Sequence, residues 1–147
     1  MKMEREILFR GQHIKYGQKV NMLGEKLPGV WVYGGIFPGT GDYSIIYGGK
    51  SENFTGAELD KWPVYSDTVG QYTGLTDKNG KKIFEGDIVR CIRTHCDGRK
   101  VVGHIIFGNC CFCVKTGIDR PAMDLCDDFE VIGNIHDNPE LLKGGAE

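Results

Sequence analysis

Leu75-Thr76-Asp77-Lys78-Asn79-Gly80-Lys81-Lys82-Ile83-Phe84 is the stretch on which the fold turns. Asn-Gly between two short runs that include β-forming residues is the strongest local hairpin signal, because both residues tolerate positive φ in a two-residue turn. The pattern predicts a strand on either side of residues 78–81. Glu85-Gly86-Asp87 then opens a further strand over 88–93. A polar loop at 94–98 leads to a strand over 101–107, and Gly108-Asn109 makes a second two-residue turn into 110–115. The last strand falls at 129–135, with Phe129, Val131 and Ile135 on one face and Gly133 marking a bulge or a close approach. Asn138 followed by Pro139 reads as a helix cap and first helical position, giving a short C-terminal helical turn.

Toward the N-terminus the same grammar continues more loosely. Strands are predicted at 6–10, 20–23, 29–36 and 43–47, punctuated by Pro28-Gly29 and by Pro38-Gly39-Thr40-Gly41-Asp42. Residues 51–60 are polar, with room for one helical turn at 55–59. Trp62-Pro63-Val64-Tyr65 runs into Ser66-Asp67-Thr68, which reads as a linker. The chain is therefore expected to be all-β. A β-rich N-terminal region over 1–66 precedes a small barrel over 70–142, and 143–147 form a flexible tail.

Composition agrees. Of 147 residues, 40% are hydrophobic and 26% charged, the balance of a globular chain, while 22 glycines are about twice the usual share of ~7%. The glycines keep no three-residue period, which excludes collagen and favours many tight turns. A net charge of −2 excludes a bulk polycation. The charged start, Met-Lys-Met-Glu-Arg-Glu, does not read as a signal peptide, and no apolar run approaches the ~18 residues of a spanning helix, so a cytoplasmic location without membrane partners is expected.

Sites of chemistry are sparse. Gly49-Lys50-Ser51 lacks the upstream glycine of a phosphate loop, since Ser44 stands there, and Gly39-Thr40-Gly41 lacks the third glycine of a dinucleotide loop. Glu85 with Asp87, and Asp127 with Asp128, are acidic pairs of the kind that surface turns hold. His104 sits within an apolar strand and reads as a core or rim residue. No nucleophile has a recognisable partner, and no catalytic residue or cofactor is assigned. The six cysteines, at 91, 96, 110, 111, 113 and 126, read as small buried hydrophobes of a reduced core. Cys110 and Cys113 have the spacing of half a zinc site, the weaker alternative, because a second ligand pair is missing. Strand alternation sends Cys111 and Cys113 to one face and Cys110 to the other.

Charge is unevenly spread. Residues 77–100 hold seven basic and four acidic groups, whereas 119–147 hold two basic and eight acidic. Lys78, Lys81, Lys82, Arg90 and Arg93, near Tyr72 and Phe84, form the alternative nucleic-acid surface, with phosphates on the cations and bases on the rings. The competing reading is a solvated face balanced by the acidic tail. Gln71, Tyr72, Thr73, Glu85 and Asp87 bracket the hairpin and form the candidate protein-binding patch. A structural reading competes with it, in which Asp87 accepts backbone N–H groups, Gly74 and Gly86 supply unusual φ, and Tyr72 covers the barrel's end.

Four blocks of the chain together resemble a known family. The central block, residues 68–89, runs Thr-Val-Gly-Gln-Tyr-Thr-Gly-Leu-Thr-Asp-Lys-Asn-Gly-Lys-Lys-Ile-Phe-Glu-Gly-Asp-Ile-Val. It closely resembles the YopX-like family of phage and prophage proteins. The ending at 129–142, Phe-Glu-Val-Ile-Gly-Asn-Ile-His-Asp-Asn-Pro-Glu-Leu-Leu, is similar to that family's ending, as are Arg5-Glu6-Ile7-Leu8-Phe9-Arg10-Gly11 and Trp31-Val32-Tyr33-Gly34. The resemblance implies a phage-encoded protein of the bacterial cytoplasm with a Src-homology-3-type barrel in its C-terminal half, and it carries no catalytic residues over. The function expected is a non-enzymatic binding or assembly module with a protein partner or self-association. Nucleic-acid binding stands second and a hydrolytic enzyme third.

Overall fold

The computed structural model describes residues 6–13, 31–37, 39, 41–51, 61–117 and 119–142, without the side chains of 47–51, 61 and 62. The strand expected at 20–23, the helical turn at 55–59 and the tail at 143–147 lie outside these residues. The chain is all-β, with two compact units, Met1–Tyr72 and Thr73–Glu147.

In the first unit, β1 (Phe9–Gln12), β2 (Trp31–Phe37), β3 (Tyr43–Ser51), β4 (Lys61–Tyr65) and the start of β5 (Gly70–Thr76) lie in the order β4-β3-β2-β1-β5. Every described pairing among them is antiparallel. Val32, Ile46 and Val64 are fully buried, with Ile36 and Val69 packed against them. The stretch read as a linker is not one. Residues 61–65 pair with β3 from Tyr43↔Tyr65 to Tyr47↔Lys61, and Ser66–Thr68 form a 3₁₀ turn. Val64 is the reason: burying its side chain completely holds this segment in the sheet. Pro63 is tolerated because β4 ends that order, its other side meeting only the isolated bridge His13↔Val64 among the described residues, which asks no N–H of Pro63. The Thr68 hydroxyl locks the turn, donating to the Tyr65 carbonyl at 2.6 Å and accepting the Gln12 N–H at 2.9 Å.

The second unit holds the end of β5, then β6 (Lys82–Phe84), β7 (Asp87–Ile92), β8 (Lys100–Gly108), β9 (Cys111–Lys115), a 3₁₀ turn at Met123–Leu125, β10 (Asp127–Asn134) and a 3₁₀ turn at Pro139–Leu142. Its four-stranded antiparallel sheet has the order β10-β7-β8-β9 and does not close on itself. Period-2 alternation along β8 buries Val101 and Ile105, which join Ile83, Val89, Cys91, Val114, Met123, Cys126 and Phe129 in one core.

The first hairpin turn falls where expected, and the second lies one residue later than the expected Gly108-Asn109, because Gly108 still pairs as the last residue of β8. At the first, the Asp77 carboxylate accepts the N–H groups of Asn79 and Lys81, each at 2.9 Å, while Gly80 N–H donates to the Asp77 carbonyl at 3.0 Å. Gly80 takes the positive φ, +80°, and Asn79 does not. The loop is thus a three-residue turn with a left-handed glycine, selected by the aspartate side chain. At the second, the central pair is Asn109-Cys110, with φ of 53° and 67°, closed by the pairing Gly108↔Cys111. The β10–β7 register shifts between Val131 and Gly133, as the glycine implied, and a Cβ on Gly133 would lie 2.7 Å from Asn138 Oδ1.

Candidate functional site: an exposed aromatic sheet face

β3 and β4 are apolar on both faces. In β3, Ser44 and Ile46 point into the core, which sends Tyr43 and Ile45 outward. In β4, Val64 is buried, which sends Pro63 and Tyr65 to the same outer side. The register then assembles a surface. Phe37, Ile45 and Pro63 stand in one row across β2, β3 and β4, and Tyr43 stands opposite Tyr65 in the next. Phe37 is 65% exposed, Tyr43 52% and Ile45 36%. Isolated exposed apolar residues are ordinary, whereas a contiguous patch on neighbouring strands marks a contact surface.

The Tyr43 and Tyr65 rings lie 5.9 Å apart at 42°. Beside them is a hollow of about 400 Å³ lined by Gly41, Asp42, Tyr43, Tyr65, Ser66 and Asp67. Its walls are held from behind. Ser66 N–H donates to the Asp42 carbonyl at 2.8 Å, and the Ser44 and Ser66 hydroxyls share a 2.8 Å hydrogen bond. Asp42 and Asp67 are exposed, and among the described residues neither has an ion-pair partner.

The patch predicted around the first hairpin has a different character. Tyr72 is buried and its N–H donates to the Leu8 carbonyl at 2.8 Å, so it is no exposed anchor. Asp87 is 1% exposed and accepts the Phe84 N–H at 2.7 Å. Thr73 donates its hydroxyl to the Ile83 carbonyl at 2.8 Å. Gln71 and Glu85 are half-buried. Gly74 and Gly86 both have φ near +91°, and Gly86 also donates its N–H to the Ile105 carbonyl while its own carbonyl accepts the Ile135 N–H. Capping and turn formation account for these residue types.

Asp77 belongs with them. Besides the two turn N–H groups, it accepts the Val131 N–H at 3.0 Å. Burial opposes its charge, but the three backbone donors and nearby Lys81 outweigh that opposition and hold its carboxyl below the ordinary value of 3.8.

The basic residues are largely engaged. Lys78 and Arg90 reach the two oxygens of Glu130 at 3.1 and 3.7 Å. Arg93 pairs with Asp119 at 3.1 Å and Asp97 at 3.6 Å. Lys81 and Lys82 are exposed.

Of the cysteines, Cys91, Cys113 and Cys126 are buried, Cys111 is half-buried, and Cys96 and Cys110 are exposed, so the core reading fails for the last two. Both occupy loops whose side chains the turn geometry directs to solvent. Cys111 and Cys113 do share a face, their sulfurs 3.6 Å apart, and Cys110 lies outside β9 in the turn. Among the described residues no group of three or more His, Cys, Asp or Glu gathers as a metal centre does. A hydrogen bond from Cys91 to Cys126, reinforced by burial, pushes the Cys91 thiol up, while the same bond draws Cys126 down. Burial, then Lys115, holds the half-buried His104 below its ordinary pKa.

The outer face of β2–β4 is not among the sites expected from the sequence, although it leaves a signal there. Tyr43-Ser44-Ile45-Ile46-Tyr47 carries large apolar residues at both parities, which a strand with one solvated face does not need.

Comparison with known proteins finds no match among curated proteins. The chain is similar to the crystal structure of protein EF1440 from Enterococcus faecalis, with 24% identity, 95% of this chain and 99% of that chain covered, and a TM-score of 0.45. The sequence pattern of the family described as YopX protein matches residues 41–143, and the chain belongs to the YopX family.

Proposed function

We propose that this chain is a non-enzymatic binding or assembly module whose contact surface is the outer face of β2, β3 and β4. The observation that carries this reading is the row Phe37–Ile45–Pro63 beside the pair Tyr43–Tyr65, apolar and solvent-facing on a sheet whose other face already packs the core. Aromatic side chains of this kind supply most of the energy of protein contacts. The family resemblance supports a phage or prophage origin and action in the bacterial cytoplasm. It also supports a barrel-like description of the second unit, in the loose sense of short antiparallel strands around one core. Nucleic-acid binding is less well supported, since Lys78, Arg90 and Arg93 already have carboxylate partners.

The test is a double substitution, Phe37→Ser with Ile45→Ser. Both side chains are exposed, so the thermal midpoint should stay within a few degrees of wild type. Self-association by sedimentation velocity, or quantitative capture of a host-cell partner, should fall at least tenfold. Unchanged assembly and an unchanged partner set would remove this face as the contact surface.

A further inference from the structure

We propose that the hollow between Tyr43, Tyr65, Asp42 and Asp67 is an arginine pocket, which seats a guanidinium from an extended segment of a protein partner. This deepens the reading of the β2–β4 face and rests on it. Tyr43 and Tyr65 both line the hollow, their rings packed on each other at 5.9 Å and 42°, and an aromatic lining attracts a cation that comes to rest against it. Asp42 and Asp67 add two carboxylates on the same lining, with no cation of the described residues on either. An anion is repelled there, and a purely apolar side chain gains nothing from either carboxylate. Guanidinium fits better than ammonium: it is planar, it stacks on rings, it is weakly hydrated, and its five donors can fork toward two carboxylates.

Size and rigidity agree. About 400 Å³ leaves ample room for a guanidinium and its methylene stem. The Ser66 N–H bond to Asp42, the Ser44–Ser66 hydroxyl pair and the Thr68 anchor below Tyr65 set the walls before any ligand arrives, so little ordering remains to be done on binding. The adjoining row Phe37–Ile45–Pro63 offers an apolar track for the residues flanking the arginine. Charge complementarity and the apolar track together specify the occupant as a segment in which an arginine neighbours apolar side chains.

The experiment uses the full chain and two synthetic peptides, acetyl-Leu-Ser-Arg-Ser-Leu-amide and the same peptide with citrulline, the neutral isostere, in place of arginine. Affinities are read from NMR titration. The arginine peptide should bind about five- to thirtyfold more tightly, the combined effect of an exposed cation–π contact and surface ion pairs, with the largest shifts at residues 41–45 and 65–67. The preference should shrink at high salt. Asp42→Asn with Asp67→Asn, conservative changes at exposed positions, should abolish it, as should Tyr43→Leu. Equal affinity for the two peptides, no detectable binding of either, or a preference that survives the double asparagine variant overturns the arginine pocket. The reading of the whole face is decided separately, by the assembly measurements on Phe37→Ser with Ile45→Ser.

Discussion

The sheet of β2–β4 and the sheet of β7–β9 use apolar residues differently. In β8 Val101 and Ile105 go inward to a core that, among the described residues, has nine buried side chains, Val102 and Ile106 on the other parity are half-buried, and Phe107 near the strand's end is exposed. In β3 both parities are apolar, yet the core below it, among the described residues, has three fully buried side chains. The second unit gathers nine described side chains in its core and leaves Leu75, Phe107 and Leu125 exposed at separate places in the chain. The first exposes Phe37, Tyr43 and Ile45 side by side on one sheet face, where stability gains little and a partner gains much. An apolar sheet face that is exposed among the described residues is therefore the informative feature of this molecule.

The largest expected effect tests that contrast from the stable side. Ile105→Ala removes a side chain that is 1% exposed at the centre of the second core and should cost about 3–4 kcal/mol by chemical denaturation. A cost below about 1 kcal/mol would show that this core is not tightly packed.

Asp77→Ala should come next. It leaves the N–H groups of Asn79, Lys81 and Val131 without their acceptor, at a cost of about 2–3 kcal/mol. Its carboxyl has a lower pKa in the native state than in the unfolded chain, so its stabilisation is fully present above the unfolded value, near 3.8, and is lost as pH falls through the native value. Denaturation curves below pH 5 should thus fall less steeply with acid in Asp77→Asn than in wild type. Parallel acid limbs would exclude the charge from the account.

Cys110→Gly works in the opposite direction. Cys110 sits at φ 67°, a left-handed conformation that disfavours any side chain, and it is exposed. Glycine there should raise stability by about 0.5–1 kcal/mol, visible as a higher melting temperature under reducing conditions.

The smallest effect closes the comparison. Phe37→Ala should change stability by less than about 0.5 kcal/mol, although it removes a far larger side chain area than Cys110→Gly. A loss above about 2 kcal/mol would mean that Phe37 packs as core and that the face is not a free contact surface.

Local chemistry was legible in the sequence wherever neighbours in the chain decide the outcome. Asn79-Gly80 marks a turn because few residues accept a left-handed backbone, and Gly133 marks a bulge because a Cβ there has no room. The strands between them follow from alternation, and the shared face of Cys111 and Cys113 follows from the same period of two. Charge balance was partly legible, since an excess of acid at 119–147 could be counted, but not that Glu130 would serve both Lys78 and Arg90.

What the chain order cannot express is contact across long separations. Asp77 and Val131 are 54 residues apart, and only the pairing of distant strands turns an apparent turn aspartate into a brace for β10. Tyr72 looks like a surface anchor until strand pairing buries it. The two apolar faces of β3 are equivalent as a string of letters. The fold decides between them, because Val32, Ile46 and Val64 meet on one side and leave Phe37, Tyr43 and Ile45 to solvent on the other. Burial is a property of the space between strands, which alternation orients but does not fill.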